Sequence, residues 1–165
     1  MELKKLDESF YTDNPVVIQA LDFNIVNNEW MSHDGKVRGH GVVQIDIDGL
    51  TFAIPVRSNI KHDASYILEV NRDENKDRRI KGMGLDYSKA LLIRKTEHIS
   101  NNIFVLRTKE AGRKLQGKEQ HIQKQFNKYV MRYVKAVEKN DRRILNDEEY
   151  RFSTLVNYHV ELGIK

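Results

Sequence analysis

The sequence predicts an α+β fold in which helices pack on one compact antiparallel sheet. Apolar and polar residues alternate from Val43 to Val56 on both sides of Asp48-Gly49, which is the period of a half-buried strand pair. After residue 118 the apolar residues recur at three- and four-residue spacings, the period of a helix. The 165 residues fit a single domain, 1–165, and no linker or internal repeat divides them.

In chain order, Glu2 to Leu6 reads as a short strand. A brief helix is expected to begin at Asp13-Asn14-Pro15, with Pro in its first turn and Val17, Ile18 and Leu21 on one face. Asn27 to Lys36 is polar and reads as a loop. Val43, Ile45 and Ile47 then share one face of a strand, and Leu50, Phe52, Ile54 and Val56 share that face of its partner. Asp-Gly between them suits a two-residue type I′ turn, because both residues tolerate positive φ. In that register, residues whose numbers sum to about 97 lie opposite each other, which sets Arg38 near Asn59. Pro55 has no N–H for a ladder, so the second strand is expected at a sheet edge or leaving the sheet there. Arg57 to Asp63 reads as a polar loop, Ser65 to Val70 as a strand, and Asn71 to Lys81 as a charged, mobile loop. After Gly82-Met83-Gly84 and a short amphipathic piece, Ala90 to Ile93 reads as a buried strand, and Ile103 to Leu106 as another. In the helical C-terminal third, Lys118 to Lys139 places Ile122, Phe126, Tyr129, Val130, Tyr133 and Val137 on one stripe. A last helix is expected from Asn146, with Glu149 in the capping-box position, to Gly163.

Composition narrows the function. No stretch of 18 apolar residues suggests a membrane span, and MELKKLDESF lacks the apolar core of a signal peptide. The absence of cysteine removes disulfides and thiolate metal sites, and a soluble, cytoplasmic protein is expected. Net charge is unevenly spread. Arg107 to Arg143 holds twelve Lys and Arg against four acids, a net of +8 in a chain of net +4. A basic segment beside an acidic remainder is the footprint of a polyanion partner, and Lys118, Lys124, Lys128, Arg132 and Lys135 are the candidate RNA-binding residues.

Metalloprotease, nucleophile-elbow and phosphate-loop motifs are absent, and the six histidines share no close ligand spacing. Asp46 and Asp48 share one face of the hairpin and could in principle hold Mg²⁺, an arrangement also expected of ordinary strand polarity. No metal or cofactor is expected. RNA can be cut without either, because its own 2′-hydroxyl attacks the adjacent phosphorus to leave a 2′,3′-cyclic phosphate and a 5′-hydroxyl. The protein then has to take a proton, give a proton and stabilise charge on the non-bridging oxygens. Arg57, Ser58, Lys61 and His62 offer such groups in one short segment, and the hairpin register brings Arg38 and His40 toward it.

At these residues the sequence resembles a known family. Arg38-Gly39-His40-Gly41-Val42-Val43, the hairpin to Phe52-Ala53-Ile54-Pro55, and Arg57-Ser58-Asn59-Ile60-Lys61-His62 are similar to type III toxin–antitoxin toxins of the ToxN, AbiQ, CptN and TenpN group. The TenpN branch is also similar at Gly84-Leu85-Asp86-Tyr87-Ser88-Lys89-Ala90-Leu91-Leu92-Ile93, at Glu149-Tyr150-Arg151-Phe152-Ser153-Thr154-Leu155 and at Asn157-Tyr158-His159. The likeness runs over essentially the whole chain and rests on the order and spacing of these segments. It implies a compact, partly barrel-like antiparallel sheet with helices, the MazF and Kid type of toxin fold. It further implies metal-independent RNA cleavage, often at A-rich sites, acting on cellular or phage RNA in phage defence (abortive infection) or plasmid maintenance. A small RNA antitoxin of pseudoknot repeats would be processed and retained by the toxin, often in closed rings of alternating protein and RNA. Carried over, the site residues are Arg38, Ser58 and Lys61, with Lys61 and Arg38 on the scissile phosphate and Ser58 orienting the 2′-hydroxyl or a phosphate oxygen. Arg57 and His62 are left as candidates for proton transfer or charge stabilisation. The ToxN branch has Lys where Arg38 stands and Thr where Arg57 stands, so base and acid stay unassigned. A basic RNA- or DNA-binding module that only positions phosphates is the alternative. An interaction protein whose basic helix docks an acidic partner is the other.

Overall fold

The structure of the chain, a computed structural model, describes residues 1–33, 36–37 and 39–165. Among the described residues eleven strands are formed: β1 (Lys4–Leu6), β2 (Phe23–Asn24), β3 (Glu29–Trp30), β4 (Ser32–His33), β5 (Lys36–Val37), β6 (Val42–Ile47), β7 (Leu50–Ile60), β8 (Ser65–Val70), β9 (Gly82–Asp86), β10 (Leu91–Ile93) and β11 (Ile99–Ile103). The α-helices are α1 (Glu8–Asp13), α2 (Lys109–Leu115), α3 (Glu119–Glu138) and α4 (Arg142–Leu145), with 3-10 turns at Tyr87–Lys89, Thr96–His98 and Thr154–Asn157. The fold is α+β, and its main sheet is antiparallel in the order β11-β1-β6-β7-β9-β8, with β10 also on β7. The sheet is open, not a closed barrel, because β11 and β8 end it on opposite sides.

The β6–β7 hairpin has the register expected of its turn: Val42 faces Pro55 and Ile47 faces Leu50. Asp48 and Gly49 both take positive φ, +48° and +81°, which matches a tight turn to the right-handed twist of the strands. The alternating residues then separate two cores. Val43, Ile45, Ile47, Phe52, Ile54 and Val56 face a large core with Ile122, Phe126, Tyr129, Val130 and Tyr133 of α3. Val42 and Ala53, with Leu91 and Ile93, face a smaller one covered by Phe10, Val17 and Ala20, with Trp30 against it. The sheet is thus a middle layer between α3 with the C-terminal segment and the N-terminal segment.

Pro55 does not sit at an edge. Its strand pairs with β10 through Thr51–Ala53 and with β9 from Val56 onward, so the missing N–H falls where the neighbour on that side changes. The strand also runs past the expected loop start, to Ile60. Arg57 pairs Gly84 and Ile60 pairs Gly82, leaving Ser58 and Asn59 opposite Met83 alone, a β-bulge with Asn59 at φ +60°.

Other boundaries differ for local reasons. A helix ends at Asp13-Asn14-Pro15 instead of starting there. Asp7 caps it through the Ser9 N–H, and Asn14, restricted by the following proline, leaves helical geometry at φ −123° and ψ 68°. The expected loop 27–36 contributes to two short ladders, β2–β3 and β4–β5. The strand expected at Ile103–Leu106 lies earlier, as β11. In place of a helix from Asn146 to Gly163 there is α4 followed by turns and the 3-10 turn Thr154–Asn157. The carbonyls there are taken by side chains from elsewhere: Tyr129 donates to Glu149 O at 2.8 Å and Lys89 to Phe152 O at 2.8 Å. No helix among the described residues is long and apolar enough to cross a membrane.

Two glycines test this packing in opposite directions. A Cβ on Gly84 would overlap the carbonyl oxygen of Tyr66 across the β8–β9 pair, so Gly84→Ala is expected to destabilise by about 1–3 kcal/mol. Gly112, inside α2, has open space around the same position, so Gly112→Ala should stabilise by about 0.5–1 kcal/mol. Urea unfolding midpoints of the two variants, moving apart around that of the parent, are the check.

Candidate active site

Where β7 leaves its hairpin partner, its polar residues border a cleft of about 340 Å³. Arg57, Asn59, Lys61 and His62 line it from β7 and the residues just after, buried Ser88 and Lys89 of the 3-10 turn form its floor, and Gln19, Glu148, Arg151 and Phe152 complete the lining. Four cationic side chains therefore meet one exposed acid at the mouth, with a second acid, Asp86, buried beneath.

Asp86 is fully buried at the end of β9, and its side-chain partners among the described residues all come from the cleft. Arg57 Nη1 lies 2.9 Å from Oδ2, His62 Nε2 lies 3.2 Å from Oδ1, and Ser88 donates to Oδ1 from its N–H at 3.0 Å and its Oγ at 2.6 Å. Burial pushes the Asp86 carboxyl up, but His62, Ser88 and Arg57 together bring it below the ordinary carboxylate range. Asp86 is therefore a fixed anion that orients Arg57. A guanidinium has five N–H donors, and Arg57 uses one of them on Asp86, its only hydrogen bond among the described residues. The rest suit a planar oxyanion such as a phosphate.

Both ring nitrogens of His62 are occupied. Nδ1 accepts the Ala64 N–H at 3.2 Å, which leaves the proton on Nε2, directed at Asp86 and, at 3.3 Å, at Ser88 Oγ. Lys61 borders the cleft, but its ammonium lies 3.3 Å from Asp77, which Arg79 also holds at 2.7 Å. The hydrogen bonds and charge of Arg79 and Lys61 keep Asp77 well below the usual carboxylate range. Lys76 donates to Asn59 Oδ1 at 3.3 Å and Lys81 pairs with Asp63, so the charged segment 71–81 leans on the site at Asn59, Lys61 and Asp63. Ser58 points elsewhere: it lines a neighbouring groove with Asn71, Arg72 and Lys114, and only Asn59 borders both. Arg38 lies outside the described residues. The hairpin register does hold up to its neighbourhood, since Val56 N–H donates to Gly41 O at 2.8 Å, the same sum of 97.

Lys118, Lys124, Lys128, Arg132 and Lys135 are all exposed. At the helical period Lys124, Lys128, Arg132, Lys135 and Lys139 form one stripe on the side of α3 away from its buried stripe, and Lys118 falls outside it as the residue before the helix. Lys128, Arg132, Lys135 and Lys139 border a shallow groove against Ile144 of α4. Arg132 also pairs with Glu149 at 3.3 Å, next to the cleft residues Glu148 and Arg151, so stripe and cleft flank one short segment.

Asp86, Ser88 and Lys89 are functional candidates that a residue-by-residue reading of the sequence does not single out. The signal that points to them is an acid inside Gly84-Leu85-Asp86-Tyr87, directly before a buried strand: a charge placed there needs a partner. Among the described residues no three His, Asp or Glu side chains gather as a metal-ligand set. Among known proteins no family model, no curated sequence and no solved structure matches the chain.

Asp86→Asn is expected to lower stability at neutral pH by about 3 kcal/mol, since it strips the charge from a buried, multiply bonded group. Because the Asp86 carboxyl is lowered in the folded state, its contribution is present above the unfolded value of about 3.9 and lost as pH falls through the folded one. Urea unfolding at pH 7 and pH 3 should therefore show the gap between parent and variant narrowing in acid.

Proposed function

We propose that this chain is a metal-independent endoribonuclease toxin of the type III toxin–antitoxin kind, cutting RNA by 2′-hydroxyl attack to leave a 2′,3′-cyclic phosphate. The observation that carries the reading is the Arg57 guanidinium, fixed from behind by buried Asp86 and gathered with Lys61, Lys89 and Arg151 around one cleft. That arrangement presents several cations to one phosphodiester, and charge on the non-bridging oxygens is what the reaction builds. Lys61 joins by exchanging Asp77 for phosphate, a small cost for an ion pair whose side chains are 42% and 34% exposed. Ser58, in the neighbouring groove, meets a flanking nucleotide. The basic stripe of α3 continues the path for a longer RNA, which we take to be the repeat antitoxin that the enzyme processes and retains in a cyclic protein–RNA assembly. The kinship with the MazF and Kid type of fold belongs to the same proposal.

Purified protein incubated with mixed-sequence RNA in EDTA is expected to give discrete fragments ending in cyclic phosphate. Lys61→Ala and Arg57→Ala should each slow that cleavage by about 10²-fold, the usual cost of removing one oxyanion donor. Intact RNA that is nevertheless bound with strong salt dependence would overturn the enzyme in favour of a phosphate-positioning module. Replacing Lys128, Arg132 and Lys135 together by Gln should flatten the log affinity against log salt plot by about 0.7 for each phosphate of single-stranded RNA that is no longer neutralised.

A further inference from the structure

We infer that Lys89 is the general acid of this site, the group that protonates the departing 5′-oxygen; the inference rests on the ribonuclease reading. Lys89 lies at the end of the 3-10 turn Tyr87–Lys89, only 9% exposed, on the cleft floor beside Arg57, His62 and Ser88. Its ammonium donates to Gln19 O and to Phe152 O, both at 2.8 Å. An ammonium has three N–H groups. Two are held by these carbonyls, and the third has no partner among the described residues. Releasing that third proton leaves an amine that still satisfies both carbonyls, so transfer breaks no hydrogen bond within the protein.

The other cleft cations are less suited. A guanidinium, the group Arg57 offers, is not a proton donor in acid–base chemistry, and both nitrogens of His62 are engaged in the wall. The Lys61 ammonium is turned to Asp77. The titratable and charged groups that line the cleft with Lys89 are Arg57, Lys61, His62, Glu148 and Arg151, and buried Asp86 also acts on its charge. Burial, with Arg57 adding to it and Asp86 opposing it, brings Lys89 down to about 8, close to where a general acid is most effective.

In the step, the 2′-oxygen bonds to phosphorus as its proton passes to water. The bond from phosphorus to O5′ breaks, its electron pair stays on O5′, and that oxygen takes the third proton of Lys89. The products are the cyclic phosphate and a 5′-hydroxyl, and the Lys89 amine regains a proton from water.

The test compares Lys89→Met and Lys89→Arg with the parent on ordinary RNA and on RNA carrying sulfur at the 5′-bridging position, whose thiolate leaves without a proton. Both variants should cleave ordinary RNA about 10²-fold or more slowly, and Lys89→Arg, which keeps the charge, should cleave the sulfur substrate within a few fold of the parent. Lys89→Arg keeps the charge and donors for the carbonyls, so its failure on ordinary RNA isolates the proton. The parent rate on ordinary RNA should fall as pH rises past about 8. Near-parent activity of Lys89→Arg on ordinary RNA, or equal losses on both substrates, would overturn the inference while leaving the ribonuclease intact. A parent that cleaves neither substrate overturns both.

Discussion

A buried carboxylate holds the site together. Asp86 is out of reach of water, so its charge has to be matched by protein groups, and the chain supplies them from three places. Arg57 comes from the far half of β7, His62 from the segment after it, and Ser88 from the turn that Asp86 itself caps. Any of these drifting away leaves a buried charge underpaired. The consequence is that one polar floor, a guanidinium and a 3-10 turn move as a unit, and the turn carries Lys89 with it. Lys89 adds two more tethers, to the loop at Gln19 and to the C-terminal segment at Phe152. The cleft is rigid at its base for reasons of charge satisfaction, while its rim is built of exposed pairs.

The long strand β7 is what brings that unit to the sheet. Its first half is an ordinary hairpin arm, sandwiched between β6 and β10. At Pro55 the partner on one side is exchanged for β9, and the bulge at Ser58 and Asn59 then re-aims the polar residues. Val56 and Ile60 stay in the core on either side of Arg57 to Asn59, so the polar triplet is anchored at both ends by apolar burial. The same bulge divides the candidate residues between two grooves, with Arg57 on one side and Ser58 on the other.

The hairpin and α3 were legible because each buries a single face, and single-face burial imposes a period of two or of 3.6 on the sequence. The register sum of 97 followed from the Asp48-Gly49 turn and holds from Ile47–Leu50 to Gly41–Val56. Asp13-Asn14-Pro15 misled because proline is compatible with a helix start and also forbids the residue before it from continuing one; the Asp7 cap decided for the second. Residues 146–163 carry a helical pattern, yet tertiary donors, Tyr129 and Lys89 among them, compete for their carbonyls. For the site, Arg57, Lys61 and His62 were legible as one local cluster. Asp86 and Lys89 were not, since what makes them chemical is burial against partners that, Ser88 apart, lie 24 to 70 positions away.

The distribution of acids separates two kinds of cation. Of those in the cleft, Arg57 is paired with buried Asp86 and Lys61 with part-exposed Asp77. On the α3 stripe only Arg132 has an acid among the described residues, Glu149, and its guanidinium also lies 5.6 Å over the Tyr150 ring. Under the proposed function a polyanion would be attracted first by the unneutralised stripe, where each phosphate would release counterions at little structural cost. Inside the cleft it meets a graded response. Asp77 can be displaced from Lys61, because both groups regain water or phosphate when they part. Asp86 cannot be displaced from Arg57 without stranding a charge in the interior. One cation is therefore recruited by the anion that enters and the other is waiting in place, so the proposed site would reach its full charge only around a bound phosphodiester.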